Sequence, residues 1–132
     1  MKIAVAGIGH VGLANAVLLA QHHDVVAVDV SSDRVDLLNA RRSPIADEDL
    51  ERFLAERSLN LKATLDGPAA YRDADFVIVA TPTNYDTRTN SFDTSTVEAV
   101  IRQVLAESRT AAIVVKSTIP VGFVDRIRAE LN

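Results

Sequence analysis

Three glycines near the start of the chain stand in the order G-x-G-x-x-G, at Gly7, Gly9 and Gly12. Glycine permits a tight turn at the first position, lets a ligand approach the backbone at the second, and lets a helix approach a strand at the third. The unpaired amides of the helix that follows favour an anion by about 0.3 to 1 kcal/mol. The spacing therefore predicts a site for the diphosphate of a dinucleotide, formed by Gly7, Gly9, His10, Val11 and Gly12.

An acidic residue, Asp29, ends the second apolar segment, 17 residues after Gly12. In dinucleotide-binding units, an acidic residue about 20 residues beyond the glycines accepts hydrogen bonds from the adenosine ribose. The same carboxylate repels a 2′-phosphate, so we expect NAD as the cofactor rather than NADP. In the alternative interpretation, Asp29 only caps the helix that follows it.

A basic residue, Arg34, lies one turn into the segment after Asp29. Its guanidinium group either leans over the adenosine ribose or adenine, or is a solvated charge on the helix surface. A third orientation, towards a 2′-phosphate, would make NADP the cofactor. Titration with both cofactors distinguishes these interpretations.

Two segments rich in hydroxyl groups follow later apolar runs, at residues 81–86 and 116–120. Each contains a proline, which stops the preceding strand because it lacks a backbone donor. Ligands of open α/β sheets bind beyond the carboxyl ends of the strands, and the irregular stretch 81–93 is long enough to suggest a functional loop. Ordinary turn chemistry is the alternative. The candidate residues here are Thr81, Pro82, Thr83 and Thr118.

The elements that must position these residues alternate between strands and helices. Continuous apolar runs rich in Val and Ile are typical of strands buried on both faces of a parallel sheet. Alternation with helical segments predicts right-handed crossovers and an α/β fold with a doubly wound, mostly parallel sheet of Rossmann-like type, ordered 3-2-1-4-5. The predicted strands are residues 3–6, 25–28, 76–80 and 112–115, with a weaker one at 61–64.

Polar residues before apolar periodic segments predict where the helices begin. Ser31 or Ser32 caps a helix that runs through Asn39, and Asp47 caps another that packs Leu50, Phe53 and Leu54 inward. Ser95, followed three residues later by Glu98, predicts a capping box.

Two further helices are predicted by their apolar patterns. Residues 13–20 are apolar nearly all round, which favours a helix enclosed in the interior. The last helix starts at about Val121, and its predicted buried side chains are Val124, Ile127 and Leu131.

Composition limits the possible classes of function. A chain of 132 residues that is 48% hydrophobic supports one compact core, and a net charge of -4 disfavours nucleic acid as a partner. The chain has no cysteine, which excludes a disulfide framework and a cysteine nucleophile within it. Its three histidines lack metal-ligating partners at helical spacing, and no apolar segment approaches the roughly 18 residues of a membrane span. We expect a soluble, cytoplasmic protein without a metal site.

The sequence resembles the N-terminal, NAD-binding domain of the nucleotide-sugar dehydrogenase family, and within it the UDP-glucose 6-dehydrogenases. The glycine motif is shared by many dehydrogenases, whereas the Thr-Pro-Thr-Asn-Tyr and Lys-Ser-Thr-Ile-Pro segments are much more specific. The matching segments are residues 1–12, 43–45, 62–64, 80–85 and 116–122.

The resemblance implies an oxidation of the C6 hydroxyl of UDP-glucose to a carboxylate, with two NAD per turnover. The family's nucleophilic cysteine and its partners belong to a later domain that nothing in this chain matches, so residues 1–132 are expected to be the NAD-binding domain of a longer enzyme. That domain should bind NAD without turnover, and the full enzyme should be a homodimer that binds a UDP-sugar. The alternatives are a dehydrogenase for UDP-N-acetylmannosamine or GDP-mannose, and a free-standing NAD-binding regulatory module.

The resemblance also implies roles for individual residues. The glycine turn would hold the pyrophosphate, Asp29 the adenosine ribose, and Arg34 would be the basic residue beside it. Thr83 would lie along the cofactor towards the nicotinamide, and Thr118 would hydrogen-bond a water or substrate oxygen at the reacting carbon. His10 stands where relatives commonly have an aromatic residue, so a direct cofactor contact from its ring is not expected.

Overall fold

The computed structural model describes residues 1–131, and within them the side chains of all residues except 84 and 91. The strands are β1 (Lys2–Ala6), β2 (Asp24–Val28), β3 (Leu61–Thr64), β4 (Phe76–Val79), β5 (Asn84–Asp86), β6 (Ser91–Asp93) and β7 (Ala112–Val115). The helices are α1 (His10–Leu19), α2 (Ser32–Asn39), α3 (Glu48–Glu56), α4 (Gly67–Arg72), α5 (Ser95–Glu107) and α6 (Phe123–Leu131). Among these helices, none is long and apolar enough to span a membrane.

Five parallel strands form the central sheet, in the order β3-β2-β1-β4-β7. This confirms the predicted order, since β7 is the fifth strand of the sheet along the chain. Ala6 at the end of β1 is in register with Val28 of β2 and with Val79 of β4. The carboxyl ends of these three strands therefore meet at one edge of the sheet.

Helices cover both faces of the sheet, as the doubly wound class requires. Side chains of β1 alternate: Ile3 and Val5 pack towards α1, α2 and α3, whereas Ala4 and Ala6 pack towards α4, α5 and α6. Val5 is fully buried, and Ala4 and Ala6 are nearly so, which explains why the strand reads as a continuous apolar run. The fold is thus the predicted α/β fold with a doubly wound sheet.

The caps of α2 and α3 confirm the sequence prediction. The Ser31 hydroxyl accepts from the backbone N–H of Arg34, and the Asp47 carboxylate accepts from that of Leu50 at 3.1 Å. The cap predicted for α5 is wrong by one residue. Thr94 is the N-cap, and its hydroxyl donates to the Glu98 carboxylate at 2.8 Å.

The faces predicted for α1 and α6 need correction. α1 is buried on one side only, because Leu18 is 65% exposed on the other. α6 begins at Phe123, two residues later than predicted, and buries Phe123 and Ile127 while Val124 is 41% exposed. Gly122 in a left-handed conformation (φ +85°) precedes the first turn and sets this later start.

The stretch 81–93 was predicted to be irregular, and this is wrong. It contains a short antiparallel hairpin of β5 and β6, in which Tyr85 opposes Phe92. Their rings pack edge to face with centroids 5.3 Å apart. The hairpin follows directly on the polar loop that ends β4.

Candidate functional site

The turn between β1 and α1 requires glycine at two of its three glycine positions. Gly7 has φ +103°, and a Cβ atom on it would lie 2.6 Å from the carbonyl oxygen of Ala80. A Cβ on Gly12 would lie 1.8 Å from the carbonyl oxygen of Gly7. Since these neighbours are backbone atoms that cannot rotate away, both glycines are demanded by packing, as predicted for a tight turn and a close helix approach.

Gly9 differs from the other two glycines. Its backbone angles, φ −85° and ψ −167°, are accessible to any residue, and no atom lies within 4 Å of a Cβ built on it. Nothing in the described chain therefore explains a glycine here. The surface beside Gly9, at the amino end of α1, is open to a ligand that must approach the backbone closely, and a dinucleotide diphosphate fits this requirement.

The backbone of Ile8, inside the glycine turn, is held at its N–H and at its carbonyl by two side chains from beyond β2. Its N–H donates to Asp29 Oδ2 at 2.8 Å, and its carbonyl accepts from Arg34 Nη1 at 3.0 Å. Asp29 Oδ1 also accepts from the Ser31 N–H at 2.9 Å. Asp29 is not the cap of α2, because Ser31 has that role. Two of the carboxylate's roughly four lone-pair positions are used, which leaves room for ribose hydroxyls.

Arg34 donates to the Ile8 carbonyl through Nη1, one of the five N–H donors of its guanidinium group, and the residue is exposed at the surface. Sequence reasoning missed this role of Asp29 and Arg34 in fixing the turn. The contacts join residues 21 and 26 positions apart, and no local pattern signals them.

The loops that follow β4 and β7 are tied together. The Ser117 hydroxyl, after β7, donates to the carbonyl oxygen of Thr81, after β4, at 2.7 Å. The loop after β4 is also held by α5, because the Thr96 hydroxyl donates to the carbonyl oxygen of Pro82 at 2.8 Å. Thr83 is half-buried and Thr118 is exposed. The candidate hydroxyls thus follow strands that end at the same edge as the glycine turn. The side chain of residue 84 lies outside the described part of the structure.

Thr81 also adjoins the glycine turn, because its backbone nitrogen lies 3.0 Å from the position of a Cβ on Gly7. Among the described residues, the Thr81 hydroxyl oxygen is a buried polar atom without a hydrogen-bond partner. Buried hydroxyl groups normally have one, and a bound ligand is one way to supply it.

The His10 ring points to α3 rather than across the turn. Its Nε2 atom lies 3.0 Å from Asp47 Oδ2. The N–H of Leu50, and after it the His10 side chain, lowers the pKa of Asp47 below its ordinary value. Within residues 1–131, no group of three or more His, Asp or Glu side chains is arranged to hold a metal ion.

A separate groove of about 550 Å³ runs along β2 and β3 beside α4. Its charged lining residues carry both signs and are Lys2, Asp24, Lys62, Asp66 and Asp73. It does not include the glycine turn or the hydroxyl loops. Because ligands of open α/β sheets bind beyond the carboxyl ends of the strands, we place the functional site at the turn and not in this groove.

Comparison with known proteins gives a consistent result over the whole chain. Residues 1–132 match the model of the NAD-binding domain of the UDP-glucose/GDP-mannose dehydrogenase family. UDP-glucose 6-dehydrogenase of Streptococcus pneumoniae is 52% identical over 132 residues, which are 100% of this chain and 34% of that protein. The Campylobacter jejuni enzyme of the same name is 37% identical, with the same two coverages.

A solved structure shows the same fold. The ternary complex of GDP-mannose dehydrogenase from Pseudomonas aeruginosa superimposes with a TM-score of 0.88 at 31% identity, covering 99% of this chain and 31% of that one. The chain spans about a third of the length of the two UDP-glucose 6-dehydrogenases that it matches.

Proposed function

Because this chain belongs to the UDP-glucose/GDP-mannose dehydrogenase family, as its NAD-binding domain, we propose that the glycine turn, Asp29 and the hydroxyl loops hold NAD for the oxidation of UDP-glucose by a longer protein. Residues 1–132 would be the cofactor domain of that protein. The observation that carries the assignment of the site concerns Gly9. Nothing in the described chain requires glycine at this position, and the space beside it is open.

Each candidate residue has a role that its position supports. The backbone amides at the start of α1, in His10 and Val11, would bind the diphosphate with help from the helix dipole. Asp29 would accept from the adenosine ribose with its remaining lone pairs while it holds the turn through Ile8. Arg34 would hold the carbonyl of Ile8 in place.

The hydroxyl loops would serve the nicotinamide half of the cofactor. Thr81 has an unpaired hydroxyl beside the turn, and Thr83 follows it along the same edge past Pro82. Bound NAD would accept the hydride that leaves the substrate carbon. Thr118, exposed on the loop linked to Thr81 through Ser117, would hydrogen-bond an oxygen at that carbon and stabilise its developing charge.

UDP-glucose is the proposed substrate because the two curated relatives described above are UDP-glucose 6-dehydrogenases, at 52% and 37% identity. The conversion of an alcohol to a carboxylate removes four electrons and needs two NAD. The absence of cysteine from this chain means that a thiol nucleophile for the second oxidation would have to come from the remaining part of the protein. GDP-mannose is the second candidate, since the GDP-mannose dehydrogenase structure superimposes with a TM-score of 0.88.

Cofactor preference can be tested on the 132-residue chain itself by calorimetric titration with NAD and NADP. We expect NAD to bind more tightly than NADP, because a 2′-phosphate would face the Asp29 carboxylate. Equal affinity for the two cofactors would contradict the role proposed for Asp29.

The substrate can be tested on the product of the full reading frame that encodes this chain. We expect UDP-glucose to yield two NADH per sugar, and GDP-mannose or UDP-N-acetylmannosamine to yield little. Thr118→Ala should lower kcat with little change in the KM for NAD, whereas Thr110→Ala, in the turn before β7, should leave both unchanged. A preference for another sugar would overturn the substrate assignment while leaving the NAD site intact.

A further inference from the structure

We propose that Ser117 is a positioning residue of the reaction, which sets the place of Thr118 relative to the bound cofactor by holding the carbonyl of Thr81. The inference rests on the proposed function, because it concerns the same two hydroxyl loops. The acceptors of the Ser117 hydroxyl, at Thr81 and Val79, are both backbone carbonyls, so this side chain acts on the course of the chain.

The ladder of hydrogen bonds between β4 and β7 ends irregularly at Ser117. Val79 of β4 lies opposite Val115 of β7. Its carbonyl accepts from the N–H of Lys116 at 2.8 Å and also from that of Ser117 at 3.1 Å. Successive N–H groups of a regular strand point to opposite edges, so both cannot reach the same neighbouring strand. The chain therefore leaves strand geometry at Ser117.

The Ser117 side chain takes the place of the next backbone donor. A parallel strand donates to its neighbour at every second residue, so after Lys116 the next donor would be the Thr118 N–H, and its acceptor the Thr81 carbonyl. Instead, Ser117 Oγ donates to that carbonyl at 2.7 Å. Within residues 1–131, no backbone hydrogen bond joins Thr118 to Thr81, and Thr118 is exposed. The Ser117 hydroxyl thus keeps the two loops together while Thr118 is released from the sheet.

Thr81 connects this hydrogen bond to the glycine turn. Its backbone nitrogen lies 3.0 Å from the position of a Cβ on Gly7, so the Thr81 backbone adjoins the turn and also accepts from Ser117. In the proposed function, the turn holds NAD and Thr118 meets the oxygen at the reacting carbon. One hydrogen bond therefore relates the place of the hydride acceptor to that of the group that contacts the substrate.

The cofactor has other supports that do not depend on Ser117. The carbonyl of Pro82, next to Thr81, accepts from the Thr96 hydroxyl at 2.8 Å, and the glycine turn is held by side chains from beyond β2. Removal of the Ser117 hydroxyl should therefore loosen the loop of Thr118 without releasing NAD. Because a misplacement of about 1 Å can cost about 100-fold in rate, kcat should fall far more than the affinity for NAD.

The test uses the product of the full reading frame with NAD and UDP-glucose. Ser117→Ala removes the hydroxyl, and Ser117→Thr and Ser117→Val form a matched pair of nearly equal shape, in which only threonine has a hydroxyl to donate. Thr110→Ala, in the turn before β7, is the control at the other end of the same strand. The measurements are kcat, the KM for NAD, the NAD affinity by calorimetry, and the isotope effect on kcat with UDP-glucose deuterated at C6.

We expect Ser117→Ala and Ser117→Val to lower kcat by about 10- to 100-fold and to change the affinity for NAD by less than about threefold. The isotope effect should rise in both, because hydride transfer becomes slower relative to the other steps. Ser117→Thr should recover most of the lost kcat, and Thr110→Ala should behave like the wild-type protein.

Three results would overturn the inference while the NAD site stands: wild-type kcat in Ser117→Ala, equally low kcat in Ser117→Thr and Ser117→Val, or a loss of NAD affinity as large as the loss of kcat. If the wild-type protein binds no NAD, the proposed function is wrong, and this inference with it.

Discussion

Substitution of single glycines should separate folding from cofactor binding, since Gly9 and Gly12 lie three residues apart but meet different surroundings. Alanine at Gly9 meets no atom within 4 Å. An alanine N-cap is less favourable than glycine by about 0.5 to 1 kcal/mol, and the smaller entropy of the unfolded chain offsets about 0.4 to 1 kcal/mol of that. The free energy of unfolding should therefore change by less than about 1 kcal/mol, and Tm by less than about 4 °C.

The affinity for NAD, unlike the stability, should change strongly when Gly9 is replaced. A Cβ on Gly9 occupies the space through which the diphosphate reaches the backbone. Loss of one hydrogen bond to a charged group corresponds to about 1.5 to 3 kcal/mol. Gly9→Ala should therefore weaken NAD binding by at least about tenfold, and Gly9→Val should abolish it.

Gly12→Ala should instead destabilise the domain, because its Cβ would lie 1.8 Å from the carbonyl oxygen of Gly7. Overpacking against backbone atoms should lower the free energy of unfolding by about 3 kcal/mol or more. Gly122→Ala is a useful control: its φ of +85° strains an alanine by about 1 to 2 kcal/mol, yet it lies outside the candidate site.

The assays are thermal unfolding for stability and titration calorimetry for NAD. Two results would refute the reasoning. If Gly9→Ala binds NAD like the wild-type chain, no ligand approaches the backbone there. If Gly9→Ala destabilises the domain as much as Gly12→Ala does, glycine at position 9 is required by packing and not by an approaching ligand.

Three other predictions concern charge, burial and helix register. Burial raises the pKa of Tyr71 to about 12, so between pH 10 and 12 the unfolded chain loses a proton that the folded chain keeps, and stability falls as the pH rises. Urea unfolding should show that the free energy of unfolding decreases from pH 9 to pH 11 in the wild-type chain and in the exposed control Tyr85→Phe. In Tyr71→Phe this decrease should be about 1 kcal/mol smaller, and an equal decrease in all three would contradict this prediction. Asp29→Asn should weaken NAD binding and raise the affinity for NADP relative to NAD in competitive titration, and an unchanged ratio would contradict the role of its charge. Phe123→Ala should destabilise the domain by about 3 to 5 kcal/mol in urea unfolding, whereas the half-exposed Val124→Ala should change stability by less than about 1 kcal/mol; the reverse order would restore the helix face predicted from sequence.

Local patterns in the sequence were sufficient to predict the strands of the sheet and the first residues of two helices. The order β3-β2-β1-β4-β7 agrees with the one expected for alternating strands and helices that follow a glycine motif after the first strand. Ser31 and Asp47 could be predicted as caps because a cap acts on backbone groups within one turn.

The face of α6 could not be read from its spacing, because apolar residues at both 123 and 124 are compatible with Ile127. The choice depends on packing: Phe123 joins the core formed by α4, α5 and the sheet, while Val124 remains half-exposed. The hairpin of β5 and β6 was missed because its main apolar contact is one pair, Tyr85 and Phe92, in an otherwise polar stretch.

Some features of the candidate site could likewise be predicted from sequence, and others could not. The glycine motif and Asp29 are visible in sequence because their spacing is set by one strand, one turn and one helix. The contacts of Asp29 and Arg34 with Ile8, and of His10 with Asp47, join elements that only tertiary packing brings together. Residue types alone could not show that the carboxylate expected to bind ribose also holds the glycine turn.

A crystal structure of the chain with NAD tests the central claim most directly. We expect the diphosphate to accept hydrogen bonds from the backbone amides at the start of α1, directly beside Gly9. The adenosine ribose hydroxyls should donate to Asp29 while Ile8 keeps its contact with that carboxylate. A cofactor bound elsewhere, or a ribose that does not contact Asp29, would contradict the account.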